Sequence, residues 1–148
     1  MDELEALSHQ ELPVQKLTMH PLFNRIDNNI AVLMMKGEFK LDKHIDTISL
    51  PDSFNPLFTD KNCIVTGFGK DDVFDKTKYQ NVMKEIILDL VHHKDCQSLL
   101  RRKTGPNFKL PESSICAGGE KDVDTCKGDG GGPLICGDEM GKTYYQVC

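Results

Sequence analysis

The sequence has no tryptophan, no apolar run long enough to cross a membrane and no excess of positive charge. Its longest apolar stretches, such as residues 30–35 and 86–88, have the length of a strand, so we expect no membrane-spanning segment. The formal net charge is −5. Since a protein that follows a phosphate backbone needs a basic face, we expect no nucleic-acid partner. At 148 residues, one small domain is the simplest interpretation.

Zinc-type CxxC pairs are also missing, although the chain has six cysteines, at positions 63, 96, 116, 126, 136 and 148. This even number without such pairs predicts a disulfide set, and therefore an oxidising, extracellular compartment. We expect no metal site and no cofactor. The first residues, MDELEALSHQELP, lack the basic start and apolar core of a signal peptide. Because export needs such a signal, we expect further residues upstream of Met1.

Short apolar stretches separated by Pro, Gly, Asn and Asp predict an all-β fold, with strands at 14–19, 30–35, 63–69, 82–90, 114–117, 133–136 and 144–147. One short helix is predicted at 92–102, where Cys96, Leu99 and Leu100 share a face. Gly105 and Pro106 should end it. The segments 52–60 and 70–78 are typical of exposed loops.

Residues 124–136, DTCKGDGGGPLIC, form the most informative segment. Its glycines let the backbone turn sharply and aim successive N–H groups at one point, as an oxyanion hole requires. Acyl transfer also needs a hydroxyl or thiol there, and Gly130 supplies neither, so the covalent step cannot occur. The alternative is a flexible turn or an anion cradle, but the strand–GK[ST]–helix pattern of a phosphate loop is missing.

This loop resembles the CxGDSGGPLxC nucleophile loop of the trypsin/chymotrypsin family, with Gly130 in place of the serine. Residues 63–70, CIVTGFGK, resemble the family's CxVTGWGK strand, and residues 115–119 its ICAG turn. The resemblance implies a chymotrypsin-like double β-barrel. It would be incomplete, with 1–148 a partial domain that is mainly the second barrel, because most of the first barrel and the strands after Cys148 have no counterpart.

The triad positions depart from the family's pattern. Residues 28–33, NNIAVL, resemble the family's NDIALL strand and put Asn29 at the orienting aspartate, where an amide favours the wrong imidazole tautomer. Asp27 remains an alternative acid, two residues along the strand. The family's Ala-Ala-His-Cys segment has no counterpart before Asn29, and we expect turn or surface roles for the histidines at 9, 20, 44, 92 and 93.

Other family positions are retained. Asp124 lies where trypsin-like members keep the acid of the primary specificity pocket, which receives Lys or Arg; the alternative is an exposed loop acid. Asp129 resembles the residue that pairs with the new N-terminus after zymogen cleavage, and the oxyanion-loop remnant is Gly128, Asp129 and Gly130. The resemblance also implies the disulfides Cys63–Cys136 and Cys96–Cys116. Cys126 and Cys148 are left either free, which we favour, or paired with each other.

Glycine in place of the serine is the mark of non-catalytic serine protease homologues. The run at 108–131 resembles arthropod clip-domain homologues of the phenoloxidase-activating factor group. This implies a secreted binding or cofactor module of an innate-immune protease cascade, with prophenoloxidase or cascade proteases as protein partners. The alternatives are a fragment of a secreted trypsin-like serine endopeptidase and a remnant that does not fold.

Overall fold

The computed structural model describes residues 6–52, 60–70 and 79–148. Most regular structure in these residues is strand, with a single helix, so the all-β prediction is confirmed. The elements are β1 (Val14–Met19), β2 (Ala31–Met35), β3 (Cys63–Gly67), β4 (Lys84–Leu88), β5 (Leu90–Val91), α1 (His93–Thr104), β6 (Cys116–Ala117), β7 (Leu134–Gly137) and β8 (Tyr144–Gln146).

The chain divides into two compact units. Unit 1 is Met1–Thr47 with Gln97–Ser114, and unit 2 is Ile48–Cys96 with Ile115–Cys148. In unit 1, β1 and β2 form an antiparallel pair in which Leu17 lies opposite Leu33. Both leucines are more than half exposed. Unit 1 also contains residues 97–104 of α1, and its β1–β2 hairpin leaves much apolar surface uncovered within the described residues.

Unit 2 contains a four-stranded sheet in the order β4-β3-β7-β8. All its pairings are antiparallel. The core is centred on Cys63, Leu134 and Cys136, with Val65, Leu90, Ala117 and Val147 packed against it. Strand alternation explains the burial, because Leu88 of β4 is buried while its neighbour Ile87 is exposed. This sheet positions the glycine-rich loop, which leads directly into β7.

Helix α1 begins and ends close to its predicted bounds. Gly105 has φ +107° and its amide bonds to the carbonyl of Arg101 at 2.9 Å, which is a glycine C-cap. The predicted apolar face is only partly correct, since Cys96 is buried but Leu99 is 51% exposed. Helical spacing places residues on one face, but it does not show whether another element covers all of that face.

The loops predicted at 52–60 and 70–78 lie mostly outside the described residues. In the part of the chain that is described, no helix has both the length and the apolar character needed to cross a membrane.

Candidate functional site

The glycine-rich loop of unit 2 is folded by its own backbone hydrogen bonds. The amide of Asp129 donates to the carbonyl of Cys126 at 3.1 Å, and the amide of Gly132 donates to the carbonyl of Asp129 at 2.9 Å. A third bond, from the amide of Lys70 to the carbonyl of Lys127 at 3.1 Å, connects the loop to the segment after β3. The loop is therefore a defined turn.

The side chain of Asp129 fixes this turn against the end of β3. Its Oδ1 accepts a hydrogen bond from the amide of Gly69 at 2.7 Å, and its Oδ2 accepts one from the amide of Cys126 at 2.9 Å. A methyl group at Gly67 or at Gly69 would collide with the carboxylate. The family resemblance predicts that Asp129 pairs with the new N-terminus after zymogen cleavage. In this structure both of its carboxylate oxygens instead accept hydrogen bonds from the chain's own amides.

The glycines of the loop differ in what surrounds them. Gly128 has φ +109°, and a Cβ there would lie 2.6 Å from a ring carbon of Tyr79. A Cβ on Gly132 would lie 2.9 Å from the carbonyl oxygens of Asp129 and Thr66. Gly130 is exposed, and a Cβ there would meet no atom of the described residues within 4 Å. Packing therefore requires glycine at 128 and 132 but not at 130.

At Gly130 the turn offers backbone amides but no side chain that could react with a substrate. Within the described residues, the amides of Gly128 and Gly130 donate to no protein acceptor. Such amides can stabilise a negative oxygen, but they cannot form a covalent bond to a substrate carbonyl. At Gly130 the arrangement can therefore bind an anionic or carbonyl oxygen without attacking it.

A pocket of about 290 Å³ lies beside this loop. Asp124 and Asp129 line it on the loop side, and Val65, Lys70 and Ile86 line it on the sheet side. The carboxylate of Asp124 is exposed and accepts a hydrogen bond from the next amide, that of Thr125, at 2.8 Å. Asp124 is thus an exposed loop acid that also lines the pocket, so both of its predicted roles remain open.

Asn29 and Asp27 belong to unit 1, whereas Gly130 belongs to unit 2. Asn29 is exposed just before β2, and its side chain has no hydrogen-bond partner among the described residues. The carboxylate of Asp27 is held by the hydroxyl of Ser113 and by the amide of Asn28, the latter at 3.0 Å. Asp27 therefore braces two segments of unit 1, a role that competes with orienting a histidine.

His20 and His44 each make a side-chain hydrogen-bond contact within unit 1. Nδ1 of His20 accepts the amide of Leu22 at 3.2 Å, and Nε2 of His44 lies 3.0 Å from the carbonyl of Ser8. Among residues 6–52, 60–70 and 79–148, no group of His, Cys, Asp and Glu side chains is placed to hold a metal ion.

Two contacts were not predicted from the sequence. The Ser113 hydroxyl that binds Asp27 carries no local signal, because the partners are 86 residues apart. The Gly67 and Gly69 positions that admit Asp129 did carry one: a Gly-x-Gly directly after a strand indicates close approach of another group.

Disulfides join Cys63 to Cys136 and Cys96 to Cys116. The first crosses the centre of the four-stranded sheet, and the second ties α1 to β6. Cys126 is half-buried and Cys148 is exposed, and both are free thiols. Cys126 lies within the glycine-rich turn, where its amide is bound to Asp129.

The chain is similar in sequence to known proteins. The family model described as Trypsin matches residues 3–147. The chain is 38% identical over 143 residues to inactive CLIP domain-containing serine protease A28 of Anopheles gambiae, covering 95% of the chain and 36% of that protein. It is 31% identical over 144 residues to phenoloxidase-activating factor 2 of Galleria mellonella, covering 95% of the chain and 48% of that protein. Protein masquerade of Drosophila melanogaster is 35% identical over 122 residues, covering 82% of the chain and 11% of that protein. The chain thus spans less than half the length of each of these relatives.

Proposed function

We propose that the chain, which belongs to the trypsin family of serine proteases, is a non-catalytic member that binds proteins in an extracellular protease cascade. Membership confirms the resemblance noted in the glycine-rich loop and the partial chymotrypsin-like fold. Relatives from Anopheles gambiae and Aedes aegypti are themselves named inactive serine proteases, which supports the non-catalytic assignment.

The proposal depends on one observation, the absence of a side chain at Gly130. Its surroundings leave room for a side chain, so glycine there is not a packing requirement. Without a hydroxyl or thiol at this position no acyl-enzyme can form. Asn29, in place of an orienting acid, points in the same direction.

For the cascade we propose prophenoloxidase activation, with prophenoloxidase or its activating proteases as the partners. The name of phenoloxidase-activating factor 2 supports this choice. The two disulfides support an extracellular location, since such bonds persist in oxidising compartments. We propose that Asp124, at the pocket beside the loop, contacts a Lys or Arg side chain of the partner.

A reconstituted activation assay tests this function. Prophenoloxidase and an activating protease are mixed at fixed concentrations with increasing amounts of the chain, and phenoloxidase activity is measured beside binding to immobilised prophenoloxidase. We expect binding and a several-fold change in the activity formed. Asp124→Ala should weaken binding, whereas Glu139→Ala, which removes an exposed acid from the β7–β8 turn, should not. A chain that neither binds nor changes activation contradicts the proposed cascade role.

A further inference from the structure

The end of helix α1 and the segment that follows it carry a concentration of positive charge that the proposed function does not use. Between Asp95 and Glu112 the chain has no acidic residue, but it has four cations, at Arg101, Arg102, Lys103 and Lys109. We name residues 97–110 the basic hairpin. Its charge contrasts with the net charge of −5 for the whole chain.

Hydrogen bonds fold the basic hairpin back on itself. After the reversal at Gly105, Nε of Arg101 donates to the carbonyl of Phe108 at 2.8 Å. One helical turn earlier, the side-chain oxygen of Gln97 accepts the amide of Leu110 at 3.1 Å. The return segment therefore runs alongside α1. Lys109 lies between the two bonded positions, Phe108 and Leu110, and is therefore held beside the helix that carries Arg101, Arg102 and Lys103.

These cations are not neutralised by the protein. Arg102, Lys103 and Lys109 are exposed, and none has an ion-pair partner among the described residues. By contrast, Lys61 in unit 2 lies 2.7 Å from the carboxylate of Asp89. Side chains that the fold leaves exposed and unpaired remain available to an external anion.

The helix end accounts for only part of this charge. Cations in a last turn are favoured because the free carbonyls there carry roughly half a negative charge. One positive side chain is enough to offset this half charge. Arg101 can fill that role, because its guanidinium is already held at the helix end by its bond to the carbonyl of Phe108. The charges of Arg102, Lys103 and Lys109 exceed what the helix dipole explains.

We propose that the basic hairpin binds a sulfated polysaccharide. Clusters of Lys and Arg are typical of heparin-binding and nucleic-acid-binding patches, and the planar guanidinium of Arg102 can donate two parallel hydrogen bonds to an oxyanion. Sulfated polysaccharides are the polyanions of the extracellular compartment that the disulfides indicate. This inference is independent of the cascade role, because it uses no residue of the glycine-rich loop.

Binding of the chain to immobilised heparin at several salt concentrations tests the proposal. We expect binding that weakens as salt rises, with a log–log slope of roughly two to three if Arg102, Lys103 and Lys109 each displace one counterion. The triple variant R102A/K103A/K109A should bind at least about tenfold more weakly, since each lost ionic contact to a polyanion removes a charge-assisted bond.

The matched control is K36A/K40A/K43A, which removes three exposed lysines of unit 1 outside the basic hairpin. It changes the net charge equally and should retain binding. Equal losses in the two triple variants, or no binding by the unaltered chain, would overturn the proposal. Binding that persists on desulfated heparin, or that is tighter to phosphatidylserine vesicles or single-stranded DNA, would also overturn it by assigning another class of anion. If the triple variant fails to melt cooperatively, R102A alone replaces it, with an expected loss of severalfold.

Discussion

The backbone amide of Gly69 donates a hydrogen bond to the carboxylate of Asp129, with 2.7 Å between N and Oδ1. This bond joins the end of β3 to the glycine-rich loop across 60 residues of sequence. The other carboxylate oxygen holds the amide of Cys126 within the loop. The conformation of the loop therefore depends on one acidic side chain.

Replacement of Asp129 by alanine should lower the free energy of unfolding by about 2 kcal/mol, because it leaves two backbone donors without acceptors, one of them on a buried glycine. Chemical denaturation measures the change. Asp124→Ala is the control, since among the described residues that exposed acid bonds only to the adjacent amide, and its effect should be within about 0.5 kcal/mol. Similar values for the two variants would contradict the role given to Asp129.

The glycines at 130 and 132 should respond differently to the same substitution. Gly132→Ala should destabilise the fold by about 1–3 kcal/mol, because its methyl group would press on two carbonyl oxygens at 2.9 Å. Gly130→Ala should change stability by less than about 0.5 kcal/mol, because its methyl group meets nothing. Thermal melting of the two variants measures the difference. A larger loss of stability in Gly130→Ala than in Gly132→Ala would contradict the packing around the loop.

Much of the fold could be predicted from local sequence. The bounds of β1 agree with the short apolar stretch predicted at 14–19, and α1 ends where Gly105 was expected to end it. Leu99 was misassigned because a helical face says which residues can be buried together, while the size of the neighbouring core decides which of them are.

The candidate site, too, could be predicted only in part from local sequence. The missing nucleophile could be recognised because glycine at position 130 lacks a functional group in any conformation. The Gly67 and Gly69 positions indicate that another group approaches the backbone there, but they do not identify Asp129 as that group. The contact of Asp27 with Ser113 has no local signal, because the two residues are 86 positions apart and meet only through tertiary packing.

Peptide mapping without reduction should recover the pairs Cys63–Cys136 and Cys96–Cys116. It should also find Cys126 and Cys148 modified by a thiol reagent added before unfolding, with Cys148 the faster because it is more exposed. Breaking the second bridge, which closes 20 residues, should cost on the order of 3 kcal/mol in the chain-entropy model. A bridge from Cys63 to Cys96, or one from Cys116 to Cys136, is incompatible with the described fold.

The turn between β7 and β8 should give acid-dependent stability. The pKa of Asp138 lies below its ordinary value of 3.8, chiefly because its carboxylate accepts the amide of Lys142. A lowered pKa in the folded state stabilises the protein above the unfolded pKa, and this contribution is lost as the pH falls through the folded pKa.

Asp138→Asn should therefore melt at a lower temperature than the unaltered chain near pH 7, and the difference should shrink as the pH falls below 3.8. Melting curves measured from pH 7 to pH 2 test this. Glu139→Gln, at the exposed neighbouring position, should not alter the pH profile. If the difference in melting temperature between Asp138→Asn and the unaltered chain grew in acid, the role given to Asp138 would be contradicted.

The central claim, that the chain has no covalent catalytic activity, is tested most directly with a fluorophosphonate probe and an arginyl amide substrate. The unaltered chain and Gly130→Ser are treated in parallel with an active trypsin as control. We expect no labelling and no turnover above background from the unaltered chain.

Gly130→Ser should fold, because its side chain has room, but it should gain little activity. Asn29 would still occupy the place of the acid that orients the general base, so the new hydroxyl would remain poorly activated. Labelling of any residue of the unaltered chain, together with turnover that survives repurification, would contradict the account.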